Sequence, residues 1–96
     1  MHTGIREGCL YVNGTVTAHT VTASAYRQFV EQCARSEVHS VDFSGLQRAD
    51  SVCIGLLLAA LRRPQGAPAL RGLPESVREL AKLYEIQDFF QEQTSY

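Results

Sequence analysis

The sequence lacks an excess of charge of either sign. Nine Lys and Arg residues are balanced by ten Asp and Glu residues in 96 residues, which leaves a formal net charge of -1. A chain without a positive excess has no field that would attract nucleic acid or an anionic bilayer surface. We therefore expect neither nucleic acid nor a membrane surface among its direct partners.

The chain also lacks paired cysteines and any long hydrophobic run. Cys9, Cys33 and Cys53 lie far apart, and none belongs to a C-x-x-C motif or lies near a suitably spaced histidine, so we expect buried free thiols, no metal site and a reducing compartment. The first residues contain no secretory h-region, and the apolar run at 52–61 is shorter than the roughly 20 residues that span a bilayer. These absences predict a soluble, cytoplasmic protein.

The composition is that of an ordinary globular domain. Hydrophobic residues make up 45% of the chain and charged residues 20%, and no internal repeat or low-complexity segment is visible. A chain of 96 residues can bury one core but not two. We therefore expect a single domain over residues 1–96.

The first half of the chain predicts a hairpin and a helix. The run CLYVNGTVTA holds two β-prone stretches joined by Asn13-Gly14, a dipeptide that tolerates positive φ, so we expect a hairpin from Cys9 to Ala18. The apolar residues that follow have the spacing i, i+3, i+4, i+7 and predict a helix from about Val21 to Arg35, capped by Thr20 or Thr22. These apolar residues are Tyr26, Phe29, Val30 and Cys33.

The second half predicts two more strands and two more helices. The run EVHSVDF favours a short strand, and SGLQRAD after it favours a loop. Asp50 is a natural N-cap for a helix from Ser51 to Arg63, because its carboxylate can accept from free N–H groups of the first turn. APALRGL can form another strand, and Pro74 opens a third helix. The order β-β-α-β-α-β-α predicts an α/β fold whose sheet is mixed and partly crossed by helices.

The second helix is apolar on every side. No charge occurs from Val52 to Leu61, although a helix on one side of a two-layer domain buries only one stripe of itself. One interpretation packs Cys53, Ile54, Leu57, Leu58 and Leu61 on the sheet and leaves the other apolar residues scattered on the surface. The other predicts a partner over the face of Val52, Gly55, Leu56 and Ala59. The small Gly55 and Ala59 would let a partner backbone approach closely, although the same spacing also suits packing on the sheet.

The segment VDFSGLQRADSVCIGLLLAALRR resembles the signature of STAS domains, in which a strand ending in Asp-aliphatic-Ser leads through a loop to Asp-Ser or Asp-Thr at a helix start. The later LRGLPESVRELAKLYEIQDFF resembles the MlaB-like branch of that family. The resemblance implies the STAS (anti-sigma factor antagonist-like) fold, a four-stranded mixed sheet with helices packed on it. It further implies a protein-binding module with no catalytic centre and no cofactor.

The resemblance places partner recognition at the start of the second helix. The residues it implies, together with the apolar face above, are Asp50, Ser51, Val52, Gly55, Leu56 and Ala59. Ser51 matches the hydroxyl residue that MlaB-like proteins keep after the Asp, and it is the possible regulatory hydroxyl. Anti-sigma factor antagonists are phosphorylated on the second residue after the Asp, which is Val52 here. This departure favours the MlaB-like branch.

The expected function is that of a non-enzymatic accessory subunit of an ABC transporter for phospholipid trafficking and outer-membrane lipid asymmetry. Its expected partner is the cytoplasmic, MlaF-like ATPase subunit, in a complex with a permease at the inner membrane. One alternative is an anti-sigma factor antagonist in a partner-switching pathway, and another is a small phosphoryl-transfer protein that uses Ser51. A hydrolytic set of Ser51, His39 and Asp42 can be named, but ADSVCIG is not the G-x-S-x-G elbow.

Overall fold

Four strands and three helices alternate in the order that the sequence predicts. A computed structural model of the protein describes residues 1–83. Its elements are β1 (His2–Arg6), β2 (Cys9–Val16), α1 (Ala23–Cys33), β3 (Ser40–Ala49), α2 (Val52–Leu61), β4 (Ala69–Arg71) and α3 (Glu75–Leu83). The strands form one sheet in the order β1-β2-β3-β4, antiparallel between β1 and β2 and parallel elsewhere. The predicted four-stranded mixed sheet and α/β class are confirmed.

The predicted position of the hairpin is wrong. The turn lies at Glu7-Gly8, where both residues have positive φ (51° and 77°), and it joins β1 to β2 through the pair Arg6 and Cys9. Asn13-Gly14 instead lies inside β2, in register with Gly45 and Leu46 of β3. A central strand must pair along both edges, and that tertiary demand overrides the local preference of Asn-Gly for a turn.

The loop predicted at SGLQRAD is also wrong, because β3 continues through these residues to Ala49. The two parallel strands stay paired to their ends, where Val16 lies opposite Ala49, with register shifts after Tyr11 and after Gly14. Bulges of this kind admit extra residues while pairing continues. Ser-Gly and the polar residues after it therefore mark an irregular strand, not its end.

The helices agree closely with their predicted bounds. Thr22, one of the two predicted caps, accepts a hydrogen bond from the backbone N–H of Ala25 at 3.1 Å and starts α1. Helix α2 begins one residue later than predicted and ends two residues earlier, and α3 begins directly after Pro74. The sequence also predicts Tyr84 on the apolar face of the third helix and Phe89 and Phe90 folded back onto the core, and these three residues lie outside the described part of the chain. No helix within residues 1–83 is long and apolar enough to cross a membrane.

Helix α2 is apolar all round because it lies between α1 and α3 and also packs on the sheet. Three of its sides are therefore covered by the chain itself. Leu56, expected on the partner face, has no exposed surface, whereas Leu58, expected on the sheet, is half-buried. The fully or nearly fully buried residues of α2 are Cys53, Ile54, Leu56, Leu57 and Ala60. The apolar character of α2 thus reflects its central place in the core, and Leu56 is not a surface residue.

Candidate partner-binding site

The start of α2 lies beside the loop that leads into α1. Val16 and Ala49 are opposite each other at the ends of the two parallel strands, so the chain leaves both strands at the same edge of the sheet. The N–H of Asp50 donates to the carbonyl of Val16 at 3.0 Å and extends this pairing by one residue. The sequence predicted a helix start here, and the structure adds the second loop beside it.

Asp50 holds these two segments together through its carboxylate. Oδ1 accepts from the N–H of Val52 at 2.8 Å, and Oδ2 accepts from the N–H of Ala18 at 3.2 Å. The predicted capping role of Asp50 is confirmed by the first bond. Ser51, which follows, already has helical backbone angles (φ -61°, ψ -16°), and its exposed side chain makes no capping bond.

The N–H groups beside the Ser51 hydroxyl are not free. Val52 donates to the Asp50 carboxylate, Cys53 donates to the Asp50 carbonyl at 3.0 Å, and Ile54 donates to the Ser51 carbonyl at 3.0 Å. An added anion would therefore find these donors occupied and a carboxylate on the preceding residue. The geometry suits contact between surfaces better than capture of a phosphate.

The hydrolytic set that can be named from the sequence is not assembled. Asp42 lies near the beginning of β3, whereas Ser51 follows the end of that strand, about 25 Å away at the usual rise per residue. The Asp42 carboxylate is also occupied locally, since Oδ1 accepts from the N–H of Ser44 at 2.8 Å and from its hydroxyl at 2.5 Å. Ser51 and Asp42 thus cannot act in one triad.

The solvent side of α2 is narrow and contains small residues. We call Ser51, Gly55, Ala59 and Arg62 the outer stripe; Ala59 is half-buried and the other three are exposed. A Cβ placed on Gly55 would meet nothing within 4 Å, so residues 1–83 leave open space above that glycine. Of the six predicted site residues only Leu56 is removed from the surface.

A groove between α1 and α2 adjoins the outer stripe and was missed by the sequence prediction. Its volume is about 230 Å³, and Tyr26 and Val30 of α1 line it opposite Ala59 and Pro64. The helical spacing of α1 predicts both residues on one face with Phe29 and Cys33, which are buried, yet Tyr26 is 42% exposed and Val30 is 37% exposed. The phenol hydroxyl of Tyr26, which needs a polar partner when buried, was the one sequence signal that could have revealed this edge.

Arg63 fixes the far end of the groove. One of its terminal nitrogens, Nη1, donates to the carbonyls of Cys33 at 3.1 Å and Val38 at 2.6 Å, and Nε donates to the carbonyl of Gly66. These bonds tie the last turn of α1 and the loop after it to the end of α2. The groove therefore has rigid walls, which favours binding without a large ordering cost.

The two cysteines nearest this region are unreactive. Burial raises the pKa of the Cys33 thiol to about 11, against an opposing effect of Arg63. Burial, and to a smaller extent Asp50, raises the pKa of the Cys53 thiol to about 12. Both thiols are neutral at physiological pH and are poor nucleophiles. Within residues 1–83, no group of three or more His, Cys, Asp or Glu residues could hold a metal ion.

Three comparisons with known proteins bear on this geometry. A family model described as "Mlab, STAS domain" matches residues 6–91. The comparison with curated proteins gives no match. Among solved structures, the chain is similar to the anti-sigma factor antagonist SpoIIAA in its unphosphorylated form, with a TM-score of 0.57 and 17% identity over 97% of this chain and 88% of that chain. At this identity the likeness concerns the fold alone.

Proposed function

Because the chain belongs to the MlaB-like family of STAS domains, whose model matches residues 6–91, we propose that it is a non-enzymatic accessory subunit of an ABC transporter that moves phospholipid between membranes. In this proposal it binds the cytoplasmic ATPase subunit, which sits with a permease at the inner membrane. The outer stripe and the adjoining groove form the contact.

The observation that carries the proposal is Gly55. A glycine inside a helix costs roughly 0.5–1 kcal/mol relative to alanine, so its presence asks for a packing reason. No contact within the described residues provides one, since a Cβ there would meet nothing within 4 Å. A partner backbone in close contact with α2 would provide it. The exposed Tyr26 and Val30 beside the stripe supply the apolar area that such a contact needs.

The mechanism follows from binding alone. A subunit without chemistry of its own can change transport only by binding one state of the ATPase more tightly than another, which shifts the populations of those states. The favoured state would be the assembled ATPase dimer or its attachment to the permease. Lipid and nucleotide contacts would then belong to the other subunits.

The alternative of an anti-sigma factor antagonist is disfavoured by Val52. This residue occupies the usual phosphoacceptor position but carries no hydroxyl, and its N–H is bonded to Asp50. Phosphorylation could therefore not release a partner by the route that the family's sigma regulators use. Transport remains the better proposal for this chain.

The test is isolation of the tagged chain from its native membranes in mild detergent, with co-purified proteins identified by mass spectrometry. The chain is compared with Ser51→Arg, which places a long cation on the outer stripe. Ser76→Arg is the matched control, because Ser76 is also an exposed serine in the first turn of a helix. Both arginines oppose the helix dipole to a similar degree, so their effects on stability should match.

We expect an ABC ATPase and its permease to co-purify with the native chain and with Ser76→Arg, but not with folded Ser51→Arg. Recovery of the transporter with all three chains would show that the start of α2 is not part of the contact. Recovery of an anti-sigma kinase in its place would reject the transporter role and move the chain to the partner-switching branch.

A further inference from the structure

The face of the sheet opposite the helices carries a row of side chains that the proposed function does not use. Gly4, Tyr11, Asp42 and Arg71 are in register across the four strands. The residues next to them in each strand, such as Leu10 before Tyr11 and Val41 before Asp42, belong to the core under the helices. Because side chains alternate along a strand, this row lies on the other face. None of the described helices covers it.

A concavity of about 450 Å³ runs along one edge of this face. His2, Gly4 and Arg6 of β1 line it together with Tyr11 and Asn13 of β2. Gly4 contributes no side chain to this concavity, which leaves a depression there, and an added Cβ would meet nothing within 4 Å in the described part of the chain. The lining also includes Thr3 and Ile5, whose side chains point to the core face, so the concavity reaches the backbone of β1 itself.

The outer edge of β1 is open within residues 1–83, since β1 is the first strand of the sheet and pairs only with β2. The strand His2–Arg6 contains no proline and no lysine, and its register with β2 is unbroken. Proline, bulges and charged side chains, above all lysine, are usual means by which edge strands avoid pairing with another chain, and of these β1 has only Arg6, at its last position. Among the described residues, the backbone of β1 is thus open to a further strand.

The charge of this face favours an acidic partner. Arg6 lies over the ring of Tyr11, with its guanidinium carbon 5.0 Å from the ring centroid, so its charge lies next to the open edge, whereas Arg71 lies on β4 at the opposite edge of the sheet. Neither arginine forms an ion pair among the described residues. Asp42 is the one acidic residue of the row, and its Oδ1 already accepts two bonds from Ser44. Strand β1 itself carries no acidic residue.

We propose that β1 and its concavity bind an extended segment of a protein partner that carries acidic side chains at alternate positions and adds to the sheet as a fifth strand. Main-chain hydrogen bonds to the edge would hold the segment, and alternate side chains would lie over Arg6 and the depression at Gly4. A second copy fits less well, because pairing β1 with itself about Gly4 places Arg6 opposite His2 without any acid. This contact is independent of the outer stripe of α2.

The test uses two seven-residue peptides, acetyl-TEVEVET-amide and acetyl-TKVKVKT-amide, added to the full chain. Amide chemical shifts and hydrogen exchange are followed by NMR. We expect the acidic peptide to shift and protect amides of His2–Arg6, and to bind at least about ten times more tightly than the lysine peptide. Equal binding of the two peptides, or shifts confined to the helices, would overturn the proposal.

Two variants make the test specific. Arg6→Glu should invert the preference between the peptides, whereas Arg27→Glu, the same change on the exposed side of α1, should leave it unchanged. Gly4→Val should fill the depression and abolish binding while the chain keeps its thermal stability, since valine suits a strand and its Cβ would meet no described atom within 4 Å. Unchanged binding by Arg6→Glu, or a concentration-dependent dimer lost in Gly4→Val, would reject an acidic partner strand.

Discussion

Asp50 is the residue on which the geometry of the candidate site depends. Its two carboxylate oxygens bond to different segments, the first turn of α2 and the loop before α1. Asp50→Ala should therefore lower the free energy of unfolding by about 1–2 kcal/mol, as loss of a helix cap does. Ser51→Ala should change it by less than about 0.5 kcal/mol, because the serine side chain makes no capping bond. Urea denaturation of the two variants measures the difference, and equal effects would contradict the assignment of the cap to Asp50.

Two glycines should respond in opposite ways to the same change. Gly55→Ala should raise the free energy of unfolding by about 0.5–1 kcal/mol, because the new methyl group enters open space on a helix. Gly72→Ala should lower it by more than about 1 kcal/mol, since Gly72 has a φ of +66° and its Cβ would lie 2.6 Å from Cβ of Ser44. Denaturation midpoints of the two variants measure whether the free energy of unfolding rises or falls in each. A loss of stability in Gly55→Ala would mean that this glycine is needed for packing within the chain itself.

Gly55→Ala also separates stability from binding. If a partner backbone approaches this position, the extra methyl group should weaken the affinity for the ATPase subunit by at least several-fold in a chain that is more stable. Titration of the purified subunit with both chains measures this change. An unchanged affinity would show that no partner backbone lies close to Gly55. The groove at Tyr26 would then be the remaining candidate surface.

At the level of single residues, the sequence predicted the helix start better than the helix face. Asp50 was identified because capping depends on local residue types. The sequence places Leu56 outside and Leu58 inside, and the structure has them the other way round. The prediction fails because α2 has no polar side that would show which of its faces is exposed. Which of its leucines faces solvent is decided by the two neighbouring helices, and that information is not local.

Among the elements, the hairpin shows how tertiary pairing overrides local preference. The turn at Glu7-Gly8 needs positive φ at both residues, and glutamate is a poor choice for the first position. Glu7→Asn should therefore raise the free energy of unfolding by about 0.5 kcal/mol. Glu31→Asn is the matched control, since it removes the same charge from an exposed position of α1, where asparagine should lower stability slightly. A fall in the thermal midpoint of Glu7→Asn would contradict the turn geometry.

The kind and order of the elements could be read from the sequence, but the extent of the strands could not. Helical spacing and capping residues are local signals, which is why the three helices were placed within about two residues. The strands β2 and β3 run through Asn13-Gly14 and Ser44-Gly45 because each completes the pairing of the other. A Cβ on Gly45 would collide with the Asn13 side chain. The glycine therefore serves strand packing at a point where the sequence alone indicates a break.

At the scale of the whole molecule, one core joins the three helices to the sheet and encloses two of the thiols described above. Cys33 is 2% exposed and Cys53 has no exposed surface. A buried thiol favours its neutral form, because the low-dielectric interior stabilises a thiolate poorly. The stability of the fold is thereby linked to pH on the alkaline side.

The expected dependence follows from the direction of the pKa shifts. The pKa values of Cys33 and Cys53 rise from an ordinary value of 9.0 to about 11 and about 12. Below pH 9 both thiols are protonated in the folded and unfolded chains, so their contribution is fully present. As the pH rises from 9 towards 11 and 12, the unfolded chain loses these protons first, and the free energy of unfolding falls.

Cys53→Ala isolates this effect from the titration of tyrosine and lysine, which is common to both chains. Urea denaturation of the native chain and the variant at about pH 8 and about pH 10 should show a smaller alkaline loss of stability in the variant. The variant should be less stable at the lower pH, because it leaves a small cavity in the core. Equal alkaline losses would mean that the Cys53 thiol is already solvated in the folded state, and the close packing of α2 on the sheet would then have to be revised.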